Sequence, residues 1–101
     1  MNCIAHSEKF HIAADHPALP GHFPDNPVVP GVVLLDRVAA AVERAWGQRV
    51  GGFPQVKFQR PLQPDQLAEL FMERDATGAR FRFVSAAGII ASGTIELGMP
   101  G

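Results

Sequence analysis

The sequence predicts an α+β fold in which an antiparallel sheet wraps around one central helix, and three observations predict it. One proline-free apolar stretch, Val32 to Trp46, has the length and composition of a helix. Downstream of Gly51-Gly52, apolar and polar residues alternate with period two over several short segments. The connections between those segments are brief turn signals, too short for a crossover helix, so neighbouring strands run antiparallel.

Each element follows in chain order. Phe10 and Ile12 alternate with Lys9 and His11, which suits a first strand over Glu8 to Ala13. Pro17, Pro20, Pro24, Pro27 and Pro30 then exclude regular helix, because each ring removes a donor and restricts the residue before it. This segment is a stiff, shaped loop, and a side chain carried on it, such as His22, has little entropy left to lose. The helix over Val32 to Trp46 is apolar on almost its whole circumference and is stopped by Gly47, so burial on all sides is expected. Strands follow around Val56 and Phe58; Ala68, Leu70 and Met72; and Phe81 and Phe83. In the last strand Ile89, Ala91, Gly93, Ile95 and Leu97 share one face. Asp75-Ala76-Thr77-Gly78 and Ala87-Gly88 supply the turns.

Residues 1–101 read as a single domain, without repeats or a linker-like change of composition. An apolar fraction of 47% is that of a chain that folds. A net charge of −1 gives no whole-molecule field to gather nucleic acid or an anionic membrane, so a charged partner must be read by a local patch. Cys3 is the sole cysteine, which points to a reducing cytoplasm. Met1 to Phe10 is too polar for a signal peptide, and no apolar run approaches the ~20 residues of a membrane span. A soluble, cytoplasmic protein is expected. His6, His11 and His16 recur at a spacing of five, which does not resemble a metal site, and no metal or organic cofactor is expected.

Chemistry concentrates between Gly21 and Asp36. An imidazole such as that of His22 titrates near neutral pH, at about 6.5 when unperturbed, and suits a general base. Asp36 lies in the second helical turn among Val32, Val33, Ala39 and Ala40, where burial would favour a protonated carboxyl able to act as an acid. Pro30 and Gly31 offer no capping side chain, which leaves the N–H groups of Gly31 and Val32 free to meet a substrate oxygen. A base, an acid and carbonyl-polarising donors are what β-elimination from a 3-hydroxyacyl thioester requires. Each part also has a plainer reading. His22 could be solvated, and Asp36 could form an ion pair with Arg37 or Arg44.

The stretch His22-Phe23-Pro24, Pro27-Val28-Val29-Pro30-Gly31 and Asp36 resembles the motif of the 3-hydroxyacyl-[acyl carrier protein] dehydratases, a hotdog-fold family. A second match covers Val56-Lys57-Phe58-Gln59-Arg60-Pro61 and Pro64-Asp65-Gln66-Leu67, and Ala14 to Pro24 is similar to a compact branch with members in aryl polyene biosynthesis. The resemblance implies a hotdog domain that dehydrates a 3-hydroxyacyl thioester, as in fatty acid biosynthesis, with His22 as base and Asp36 as acid. It implies Gly31 and Val32 at the thioester carbonyl, with Phe23, Val28, Val32, Leu35 and Phe58 lining the acyl site. It further implies a homodimer, or an oligomer of dimers, in which His22 of one subunit faces Asp36 of the other. An acyl carrier protein or coenzyme A would bear the substrate, an acidic carrier meeting some of Lys57, Arg60, Arg80 and Arg82. Asp25 and Ala40 stand where the family commonly has Gly and Gln. They keep open the alternative of a non-catalytic acyl-binding or assembly subunit; an acyl thioesterase on the same fold is a further alternative.

Overall fold

The alternation that sorts apolar from polar side chains also sorts the two faces of the sheet. The structure, a computed structural model, describes residues 4–11, 29–63 and 65–100. Along these the order is β1 (Ile4–Phe10), α1 (Gly31–Trp46), β2 (Gln48–Gly52), β3 (Val56–Phe58), β4 (Ala68–Asp75), β5 (Gly78–Ser85) and β6 (Gly88–Pro100). All pairings are antiparallel, in the order β1-β4-β5-β6-β2, with β3 also on β6. The expected meander of all the strands after Gly51-Gly52 holds for β4-β5-β6, whereas the Val56–Phe58 strand, expected to begin it, pairs with β6 rather than β4; the α+β class is as predicted.

The thirteen residues of β6 are long enough to serve two short strands on one edge. Residues 91 to 93 pair with β3, and residues 96 to 100 pair with β2. β2 has no counterpart in the sequence reading, since Gly51-Gly52 reads as a break. β1 starts at Ile4 and ends at Phe10, earlier at both ends than the expected Glu8 to Ala13. His22, Phe23 and Val28, with most of the proline-rich loop, lie outside the described residues.

The core forms where one face of α1 meets the inner face of the sheet. Val33, Leu34, Val38, Ala41 and Val42 of the helix pack with Leu70, Met72, Phe81, Phe83, Ile90 and Ile95. Phe83 is fully buried and meets Phe10 and Phe81 edge to face, at centroid distances of 5.4 and 5.8 Å. Such pairs add roughly 0.5–1.5 kcal/mol to the burial of the rings.

Two expectations about faces are corrected. The helix is not buried all round, since the sheet covers only one side of it. Val32, Asp36, Ala40 and Glu43 stay exposed on the other. In β6 the register with β5 slips between Phe83 and Val84, so that Ile90 joins Ala91 in the core and Ile89 points outward, 40% exposed. A bulge shifts every later side chain to the opposite face, and alternation in the sequence does not announce it. Gln59 and Arg60 both donate backbone N–H groups to the carbonyl of Ile90 at this point, at 2.8 and 3.1 Å.

Candidate active site

Pro30 gives no side-chain cap to α1, as its composition predicts. The helix therefore opens, among the described residues, with backbone donors that no side chain satisfies, at the positive end of its dipole. The first intrahelical bond runs from the Val33 N–H to the Pro30 carbonyl, 3.0 Å. Val29 donates its N–H to the Leu62 carbonyl at 2.7 Å, which ties the helix entry to the segment after β3. A cavity of about 390 Å³ lies at this junction, lined by Pro30, Gly31, Leu34, Phe58, Arg60 and Leu62 among others.

Phe58 is the wall nearest the helix start. Its ring packs so closely on Gly31 that a Cβ at position 31 would lie 2.6 Å from Cζ, well inside van der Waals contact. Glycine is thus needed for close approach rather than for unusual backbone angles. The ring is still 52% exposed, so it forms an open side of the cavity rather than part of the core. Val32, one position on, is 62% exposed, whereas Leu35 is half-buried and packs against the core. Of the site residues named from the sequence, Gly31 and Phe58 are brought together at this cavity. Leu34 and Leu62 are lining residues that the sequence reading missed, and the Pro-Leu step after Arg60 was the available signal.

Asp36 stands one turn beyond Val32 on the exposed stripe of the helix and does not line the cavity. The burial expected around its carboxyl is therefore not supplied by this chain's own sheet. Nor does it pair with either expected arginine. Arg44 instead clasps Glu8, with Nη1–Oε2 at 3.1 Å and Nη2–Oε1 at 3.0 Å, while the Arg37 guanidinium lies over the Phe10 ring at 4.7 Å. Among the described residues Asp36 has no ion-pair partner. The exposed stripe of the helix thus carries this carboxyl one turn along from the uncapped helix start.

Structural pairs shift the titration of Glu8 and Asp75. The hydrogen bonds from Arg44 lower the pKa of Glu8, against the opposing effect of its partial burial. Thr77 and then Arg80 hold the Asp75 carboxyl well below the usual carboxylate range. His6 Nε2 sits 3.4 Å from Glu8, and among the described residues no three His, Cys, Asp or Glu side chains group as a metal site. No described helix is long and apolar enough to cross a membrane.

Comparison with known proteins places this geometry. The model of the ApeI-like family, described as ApeI dehydratase, matches residues 5–94. The chain belongs to this dehydratase family. It is 28% identical, with a TM-score of 0.78, to a chain of the dehydratase heterocomplex ApeI:P from Xenorhabdus doucetiae, covering 96% of this chain and 98% of that one. An uncharacterised protein from Erwinia carotovora subsp. atroseptica is similar at a TM-score of 0.82 and 25% identity, over 96% of this chain and 85% of that one. The 3-hydroxyacyl-[acyl-carrier-protein] dehydratase FabZ of Mannheimia succiniciproducens is 32% identical over 72 residues, 61% of this chain and 48% of that protein. The chain spans about half the length of such curated relatives. The helix against its curled antiparallel sheet is a hotdog fold.

Proposed function

We propose that this ApeI-like protein removes water from a 3-hydroxyacyl thioester to give the trans-2-enoyl thioester, by acid-base catalysis between His22 and Asp36. The observation that carries the reading is the uncapped start of α1, walled by Phe58, with the carboxyl of Asp36, which has no ion-pair partner among the described residues, one turn along the exposed face of the same helix. The thioester carbonyl lies at the N–H groups of Gly31 and Val32, where fixed donors stabilise the negative charge that develops as the proton on C2 is removed. His22 takes that proton. Asp36 gives its proton to the departing 3-hydroxyl, which leaves as water, and proton exchange restores both groups.

Phe23, Val28, Leu35 and Phe58 enclose the acyl chain. A homodimer completes the site, with the partner subunit covering Val32 and Asp36 and desolvating the carboxyl so that it holds a proton. His22 of one copy then meets Asp36 of the other. The setting is cytoplasmic, in acyl chain synthesis, with an aryl polyene pathway as the candidate suggested by the family.

Formation of the conjugated enoyl thioester, followed by its ultraviolet absorbance, tests the reaction. His22→Ala and Asp36→Asn should each lose on the order of 10²–10⁴-fold in kcat/KM while staying folded. Mixing the two inactive variants, with subunit exchange, should restore about a quarter of the wild-type rate, since half the dimers then hold one intact site of two. Full activity in either single variant refutes the chemistry, and no recovery on mixing refutes the shared site.

A second reading is favoured by the similarity to a chain of a dehydratase heterocomplex, together with Ala40 and Asp25. In it this chain binds acyl groups and assembles with an active homologue. Acyl thioester binding without conversion, and activity that appears only when a homologue is added, would select it. Release of free thiol would select thioester hydrolysis instead.

A further inference from the structure

On the outer face of the sheet two cations flank a floor of hydroxyls. Directly paired residues of neighbouring strands share a face. The pairings Arg82↔Ser92 and Ser92↔Lys57 therefore set Ser92 of β6 between Arg82 of β5 and Lys57 of β3. Thr94 lies two residues further along β6, on the same face, and its N–H donates to the Gln55 carbonyl at 2.9 Å. Glycine at 93 permits this approach, since a Cβ there would collide with the Gln55 carbonyl oxygen. Arg82, Ser92, Lys57, Thr94 and Gln55 all line a concavity of about 690 Å³ that faces away from the helix. Small, half-buried side chains of β6 are the floor of a trough, and the longer ones of β5 and of the β3 segment are its walls. Arg82 is exposed, and its guanidinium lies over the Phe71 ring at 4.6 Å, a contact that fixes the plane without using its N–H donors. Among the described residues neither Arg82 nor the exposed Lys57 meets a carboxylate, and the hydroxyls of Ser92 and Thr94 have no hydrogen-bond partner. The neighbouring acids are directed elsewhere. Glu73 and Asp75 hold Arg80, at 2.6 and 2.8 Å, and Glu96 lies against Gly51, where a Cβ would be 3.1 Å from Oε1.

We infer that this trough is a binding site for a small phosphomonoester, gripped by Arg82 and Lys57 across Ser92, with Thr94 and Gln55 beside it. A phosphomonoester carries about −1.5 to −2 charges at pH 7, which two cations match, whereas a carboxylate would answer only one of them. The guanidinium presents parallel donors, the ammonium a point charge and Ser92 a hydroxyl, a set suited to the several oxygens of a tetrahedral anion. Strands lie ~4.8 Å apart, so the backbones at Arg82 and Lys57 stand roughly 10 Å apart, a gap that two long side chains can close over Ser92. The concavity exceeds the anion itself and falls within the roughly 300–1,000 Å³ of small-ligand sites, so the phosphate is carried on an organic body. A second copy of this chain fits poorly, because two-fold packing would set Lys57 and Arg82 against their own like charges. The site lies on the opposite face of the sheet from the cavity at Gly31 and Phe58, and it stands whether or not the dehydration reading does.

The test is calorimetric titration of the full-length protein with adenosine monophosphate, with ribose phosphate and with sulfate, an anion lacking the organic body. At least one phosphomonoester should bind saturably with a Kd of about 1 mM or tighter, and the amide shifts it causes in the NMR spectrum should centre on β3, β5 and β6. The tighter of the two identifies the body as a nucleotide or a sugar. Lys57→Gln/Arg82→Gln should weaken binding by about tenfold or more, because two charge-assisted contacts are lost. Ser92→Asp, which sets a carboxylate between the cations, should abolish it and serves as the second probe if the double variant fails to fold by circular dichroism. Lys9→Gln removes an outer-face charge paired across strands with Glu69, away from the trough, and should leave binding unchanged. The inference is overturned if neither phosphomonoester binds below about 10 mM, if sulfate binds as tightly as both, or if a folded Lys57→Gln/Arg82→Gln or Ser92→Asp protein binds like wild type.

Discussion

Gly31→Ala is the most direct probe of how the helix start and β3 are joined. The new methyl would lie 2.6 Å from Phe58 Cζ and 2.9 Å from Cε1, about 1 Å inside ordinary contact, so the ring must leave its place. About half of the ring's surface is buried, roughly 100 Å², and losing that burial would cost up to ~2.5 kcal/mol at 25 cal/mol per Å². Partial reburial reduces the loss, and replacing glycine in a helix returns at most ~1 kcal/mol. A net destabilisation of about 1 kcal/mol follows, or roughly 4–8 °C in Tm for a domain of this size. Phe58→Ala alone removes the same contact. With the ring already absent, Gly31→Ala should be neutral or mildly stabilising. Urea denaturation of the four proteins in a double-mutant cycle should therefore give a coupling of about 1–2 kcal/mol between positions 31 and 58. Strict additivity would mean that the ring does not rest on the helix start, and the wall of the proposed site would be lost with it. Dehydratase activity read on the same proteins should fall in both single variants.

Two further outcomes follow from the core and from the turn after β4. Phe83→Ala, which removes a fully buried ring contacting Phe10 and Phe81, should cost about 3–5 kcal/mol in chemical denaturation; a loss below 1 kcal/mol would refute its central place. Asp75→Asn should lower Tm at pH 7, since Thr77 and Arg80 favour the ionised carboxyl. A carboxylate whose folded pKa is depressed stabilises fully above its unfolded value, near ~3.9, and that contribution is lost as pH falls through the lower folded value. The gap between wild type and variant should thus be constant above about pH 5 and close in stronger acid, and a gap that ignores pH in thermal melts would remove the ionic cause.

Much of the arrangement is legible in single residues. The alternation of Leu70 and Met72 with Glu69 and Glu73, and of Phe81 and Phe83 with Arg80 and Arg82, assigns inner and outer faces, because a strand has only two sides. Gly47 ends the helix where predicted, in the left-handed conformation with φ 66° and its N–H on the Glu43 carbonyl. The lack of a cap at Pro30 can also be read from the chain, since it depends on residue type alone.

Whatever depends on which strand lies beside which required the tertiary structure. The slip between β5 and β6 that buries Ile90 arises from pairing, as does β2, which exists because β6 runs on far enough to hold it. The helix shows the division most clearly. Its composition is apolar nearly all round, yet one sheet covers only one side, and Val32 and Asp36 are left on the other. Sequence fixes what each side chain prefers, but burial is a property of the surface that arrives against it, and that surface is set by the whole fold.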